Sequence, residues 1–145
     1  MRFARLTAFG LAAALSLAAA SPAFAACSVN PQGIGFGSYD SLAPTPLDGT
    51  GNINIACDTS TAFTVALGSG AGSIGSRHMT SGASELGYNL YTGASRLVVW
   101  GDGFSGSTVS ATGTNVDLPV YGRVPARQNV PAASYADSVT VTVSF

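Results

Sequence analysis

Lysine is absent from this chain, and histidine and tryptophan occur once each, at His78 and Trp100. Cysteine is limited to Cys27 and Cys57, and no stretch keeps a helical hydrophobic period. The longest charge-free apolar run, Leu6 to Ala20, is 15 residues, short of the roughly 20 that a spanning helix needs. These absences exclude whole classes of function. Beyond residue 25 four arginines (77, 96, 123 and 127) face seven acids, so the charge there is 4 − 7 = −3. Such a surface offers no basic patch to nucleic acid or to an anionic membrane. Two thiols without clustered histidines cannot complete a four-ligand zinc site.

Catalytic patterns are missing too. No serine stands in Gly-x-Ser-x-Gly, and nothing sets a serine or cysteine against His78, which reads as a turn or surface histidine. The acids Asp40, Asp48, Asp58, Glu85, Asp102, Asp117 and Asp137 are scattered and read as turn caps. Gly101-Asp102-Gly103 lacks the repeated ligands of a calcium loop, and Gly35-Phe36-Gly37 opens no helix that could bind a dinucleotide. The expectation is a protein without cofactor or metal, and not an enzyme.

What is present begins with an export signal. Arg2 and Arg5 precede the apolar run, Ser21-Pro22 breaks it, and Ala23-Phe24-Ala25 is the small-x-small pattern that signal peptidase reads. Residues 1–25 are read as the signal, with cleavage between Ala25 and Ala26, and 26–145 as one domain of 145 − 25 = 120 residues. The alternative, a lipoprotein signal acylated at Cys27, wants leucine where Phe24 stands. Export to an oxidising compartment makes an even cysteine count read as a disulfide, Cys27–Cys57.

Seventeen of the 18 glycines lie in this domain, among abundant serine and threonine. Interspersed Val, Ile, Leu, Phe and Tyr argue for many short strands and turns rather than disorder. Period-two alternation recurs at Ile34/Phe36, Ile53/Ile55/Cys57, Phe63/Val65/Leu67 and Leu86/Tyr88/Leu90. Asp40 to Gly51 and Gly68 to Ser76 read as connections, Gly101 to Gly106 as a turn, and Ser105 to Asp117 as a polar stretch. Leu97 to Trp100 reads as a short buried run and Val120 to Val124 as a strand. Trp100 is expected in the core, with an exposed sugar-stacking or adhesive patch beside Phe104 as the alternative.

The clearest alternation is the last one. Val139, Val141, Val143 and Phe145 face one way and Ser138, Thr140, Thr142 and Ser144 the other. About seven strands in all predict an all-β sandwich. The final strand stops at the last residue, so it is expected to border an unfilled groove, an open edge that strand addition by a partner would cover.

In order and spacing these segments resemble the spore coat U domain family. The matching pieces are Cys27-Ser-Val, Phe36-Gly-Ser-Tyr-Asp40, Ile53 to Cys57, Arg77-His-Met79, Leu86-Gly-Tyr-Asn-Leu-Tyr91 and Trp100-Gly-Asp-Gly103. The strongest are Val120-Tyr-Gly-Arg-Val-Pro-Ala-Arg-Gln128 and Tyr135-Ala-Asp-Ser-Val-Thr-Val-Thr-Val-Ser-Phe145. Ala133-Ser134 departs from the pattern, standing before Tyr135 where a glycine is common. The resemblance implies an immunoglobulin-like sandwich missing one strand, in a secreted subunit of archaic chaperone–usher pili that supports attachment and biofilm formation. It implies three partners: a periplasmic pilus chaperone, an outer-membrane usher and a neighbouring subunit. The alternative is a free-standing secreted coat or matrix protein with a complete sandwich. With only Ala26 before Cys27, the chain is expected to accept a strand without giving one. That points to the pilus tip or to a protein outside the fibre, with the loops around Ile74 and Phe104 as candidate adhesive surface.

Overall fold

The computed structural model describes residues 25–145. The signal expected over 1–25 therefore lies outside the described residues except for Ala25. Among the described residues there is no helix, so none is long and apolar enough to cross a membrane. The strands are β1 (Cys27–Gln32), β2 (Leu47–Leu67), β3 (Ala71–Ser73), β4 (Ser76–Ser81), β5 (Ser84–Tyr91), β6 (Val109–Val124) and β7 (Val141–Ser144). All pairings are antiparallel, in the order β1-β2-β6-β5-β4-β3, with β7 on β2. This is an all-β, immunoglobulin-like sandwich of seven strands with an open sheet.

Two long strands organise it. β2 pairs with β6 on both sides of an irregularity between Ala56 and Thr61. The first half of β2 carries β1 on its other edge, from Cys27 opposite Cys57 to Gln32 opposite Asn52. Its second half carries β7 there instead, with Val65 opposite Val143 and Leu67 opposite Val141. Upstream of β7, Ala136 exchanges both backbone hydrogen bonds with Thr80 of β4. The segment from Ala136 to Ser144 thus links β4 to β2.

The period-two residues supply the core, as alternation requires. Ile53, Ile55, Phe63, Val65, Leu67, Leu86, Leu90, Val120 and Val124 are buried together with Trp100. The Trp100 indole Nε1 donates to the Val65 carbonyl at 3.0 Å, so its one polar atom is satisfied inside. Cys27 and Cys57 are bonded across the β1–β2 pair.

Several expected boundaries shift. Asp48 and Gly49 lie inside β2, opposite Arg123 and Gly122, rather than in a connection. β3 forms within Gly68 to Ser76, and β6 starts at Val109, well inside the expected polar stretch. β1 stops at Gln32, so Ile34 and Phe36 pack on the core without belonging to a strand. Leu97 is 82% exposed and Val98 is exposed as well, so only Trp100 of that run is fully buried.

Candidate functional site: an open groove beside the last strand

A groove runs between two segments that lie mostly outside the strands. One wall is the chain from Pro31 to Ser41, the other the chain from Val141 back to Val130. The groove holds a cavity of about 290 Å3 over Ile53, Leu90 and Val120, which continues into one of about 640 Å3 beside Leu47, Leu86 and Val124. Ile34, Phe36, Met79 and Tyr135 line both. Its floor is the apolar core itself, where Ile53, Leu67, Leu90 and Val120 line the cavity while remaining buried.

The first wall is held by side chains. Among the described residues no backbone hydrogen bond ties Gly33 to Ser38 to another segment. Ile34 and Phe36 instead sit in a trough made by Gly49 and Gly122, which face each other across β2 and β6. A Cβ at Gly122 would lie 2.7 Å from Phe36 Cζ and 3.0 Å from Ile34 Cδ1. A Cβ at Gly49 would lie 2.7 Å from Ile34 Cγ2. Glycine is needed here because side chain meets sheet backbone directly. Farther on, the Tyr39 hydroxyl donates to the Pro125 carbonyl at 2.8 Å and accepts from the Gln128 amide at 2.7 Å. The Gln128 carboxamide in turn bonds both the N–H and the C=O of Gly87, standing in for a strand on the β5 edge.

The second wall alternates. Tyr135, Asp137, Val139, Val141 and Val143 are half-buried on the inward side, and the residues between them are exposed. Of the residues expected to edge the groove, Val139 and Val141 line the cavity. Val143 packs on the core, and Phe145 is largely exposed with its ring edge-on to Phe63 at 6.2 Å between centroids. Asp137 and Tyr88 were not anticipated. The Tyr88 hydroxyl donates to Asp137 Oδ2 at 2.6 Å, and both residues line the groove. Burial, and then the neighbouring carboxylate, push the Tyr88 phenol upward, so it stays a neutral donor.

The candidate adhesive residues separate. Phe104 is 99% exposed, on the turn in which Asp102 Oδ1 accepts the backbone N–H of Phe104 and of Ser105. Ile74 corrects the expectation, being 7% exposed. Gly101 packs so closely that a Cβ there would lie 2.7 Å from Ile74 Cγ2, so Ile74 belongs to the core side of its loop. His78 is half-buried in β4, with Nε2 3.5 Å from Glu85 Oε1. Among the described residues no three His, Cys, Asp or Glu side chains gather as a metal site would require.

Comparison with known proteins bears on the family and on the fold. The family model of the Spore Coat Protein U domain matches residues 13–142. "Protein U" of Myxococcus xanthus is 35% identical over 168 aligned residues, covering 92% of this chain and 93% of that protein. Among solved structures, the fold is similar to a chain of the CsuC–CsuE chaperone–tip adhesion subunit pre-assembly complex, from the archaic chaperone–usher Csu pili of Acinetobacter baumannii. The TM-score is 0.59 at 23% identity over 84% of this chain, which spans 40% of the length of that one.

Proposed function

We propose a function from the premise that this chain belongs to the Spore Coat Protein U domain family: it is a non-enzymatic surface subunit of a chaperone–usher pilus. Its groove takes a β-strand from a partner. A periplasmic chaperone fills it first, a neighbouring subunit fills it in the fibre, and an outer-membrane usher exports the assembly. The observation that carries the reading is the groove itself, apolar along its floor and bordered by the stretch from Gly33 to Ser38, which among the described residues has no backbone partner in another segment. An extended segment laid there would gain main-chain hydrogen bonds and cover the apolar floor in one step. The pre-assembly complex named for the structural neighbour supports the choice of partners.

A place at the tip, with a role in adhesion and biofilm formation, is the finer part of the proposal. The disulfide fastens Cys27 to Cys57, and β1 occupies the next five residues. With processing between Ala25 and Ala26, nothing ahead of β1 would be free for donation to a neighbour. Phe104 and Leu97, both exposed apolar side chains on loops joined through Val99 and Trp100, would supply an adhesive surface.

The test is periplasmic expression of the full chain, alone and with a strand tethered to its C-terminus. The expected outcome is aggregation or proteolysis of the chain alone and a soluble monomer with the tethered strand. A stable monomer in good yield without any added strand would refute the groove reading. N-terminal sequencing with immunogold labelling of pili tests the tip position, which label spread evenly along the shafts would refute.

A further inference from the structure

We infer that Asp137 sets the register of the strand that fills the groove, by requiring a hydrogen-bond donor or a cation at the one inward position that faces it. The inference rests on the strand-addition reading above and says what the strand must carry.

Asp137 is the one charged residue lining the smaller cavity, where Gln32, Tyr88 and Tyr135 are its polar neighbours. Asp137 stands on the inward side of its wall between Tyr135 and Val139. Its Oδ1 accepts the backbone N–H of Ala71 at 2.9 Å and of Ser138 at 2.8 Å, and its Oδ2 accepts only the Tyr88 hydroxyl. Among the described residues no cation lies within ion-pair distance of it. Arg77 feels the charge of Asp137, but its donors are spent on Gly68, Asn89 and Trp100. In the open groove this half-buried carboxylate stays within reach of solvent water.

A strand laid over the groove removes that water. An apolar side chain above Asp137 would leave a charged oxygen short of donors in a dry site, which is strongly unfavourable. A lysine, serine or threonine at that position would replace the lost water by a charge-assisted hydrogen bond. The adjoining inward positions meet Ile53, Leu90 and Val120 and favour apolar side chains. A slip of two residues would put the polar group over apolar floor and an apolar group over Asp137. Both mismatches disfavour the slipped register, which main-chain bonding alone would tolerate.

The experiment uses the full chain with a flexibly tethered strand of alternating valine and threonine, about ten residues long. A single lysine replaces valine at each inward position in turn, and the thermal midpoint is read for each variant. One position should raise the midpoint, by roughly 5 °C, over the all-valine strand, and every other position should lower it. In Asp137→Asn that preference should vanish. The substitution is conservative, since the carboxamide oxygen still accepts from Ala71 and Ser138 and its NH2 can donate to the Tyr88 hydroxyl. Lysine lowering the midpoint everywhere, or the same preference persisting in Asp137→Asn, would overturn the inference and leave the groove reading intact. If no tethered strand, apolar or lysine-bearing, shifts the midpoint, the groove reading fails and the register inference falls with it.

Discussion

Replacing Arg77 by methionine removes the most heavily hydrogen-bonded side chain among the described residues. Arg77 is 1% exposed, and its guanidinium meets only neutral acceptors at hydrogen-bond distance. Nε and Nη2 donate to the Gly68 carbonyl at 3.0 and 2.7 Å, Nη2 also to the Trp100 carbonyl at 2.8 Å, and Nη1 to Asn89 Oδ1 at 2.6 Å. Methionine has a similar length and no donor. Asn89 Oδ1 keeps the Leu90 N–H, but the Gly68 and Trp100 carbonyls lose their side-chain donor. At about 1–3 kcal/mol for each stripped buried acceptor, the loss is about 2–6 kcal/mol. Relief from holding a cation in a dry site offsets part of it. The net expectation is about 3 kcal/mol, a large share of the roughly 5–15 kcal/mol of a typical domain. Lysine keeps the charge without the fork and should cost nearly as much. The measurement is urea unfolding of the strand-tethered chain, followed both by circular dichroism and by the fluorescence of Trp100, its single tryptophan. A midpoint for Arg77→Met within about 0.5 kcal/mol of the parent at unchanged slope would refute the reasoning. It would mean that the carbonyls find other donors, and that the guanidinium does not brace the turn carrying Phe104.

Three further outcomes follow from the same geometry. Reducing the Cys27–Cys57 bond, which closes a separation of 30 residues, should lower stability by about 3–4 kcal/mol, read as a shifted denaturation midpoint with and without reductant. Gly122→Ala should cost about 1–3 kcal/mol by overpacking, because its Cβ would meet Phe36 and Ile34, whereas Gly33→Ala, with open space around its Cβ, should be close to neutral in the same melt. The Arg123 guanidinium, bonded to both Asp48 oxygens at 2.7 and 2.9 Å, holds that carboxyl below its ordinary 3.8; its stabilisation is therefore complete above 3.8 and lost as the pH falls below it. An acid titration of Asp48→Asn should show a shallower loss there than the parent, and identical titrations would remove Asp48 from the account.

Alternation was legible because each strand buries one face, and it marked the core residues of β2 and β5 and the run into β7 directly. Asp48-Gly49 misled because the residues that make turns also serve inside strands. Asp48 faces outward to Arg123, and Gly49 is small so that Ile34 can sit on it. The polar residues from Ser105 to Asp117 hid the length of β6, and Pro119 stands inside it. β5 reaches β6 only at Tyr121 to Arg123, so Pro119 lies where that side of β6 has no ladder to break. Leu97 and Val98 look like core by composition, yet without alternation nothing in the sequence fixes which way they point. Asp137 was passed over as one more turn acid, although its place in the series Tyr135, Asp137, Val139, Val141 put it on the inward face. A polar residue at an inward position of a strand was the signal that could have found it.

The two sides of the groove differ in what holds them, and the difference bears on assembly. The floor and the β7 wall are cross-braced by β2 and β6, by Arg77 and Trp100, and by the bonds of Asp137 to Tyr88 and Ala71. The opposite wall from Gly33 to Ser38 rests on Ile34 and Phe36 alone until Tyr39 ties it down. Local opening is easiest where buried contacts are few and backbone bonds are missing. Gly33, Gly35 and Gly37 leave that wall free of outward side chains, and its backbone is open to a strand approaching from solvent. On the proposed strand addition, the braced half would fix where the strand lies and the unbraced half would adjust to receive it. A strand bonded to the backbone of both walls would then link the two halves.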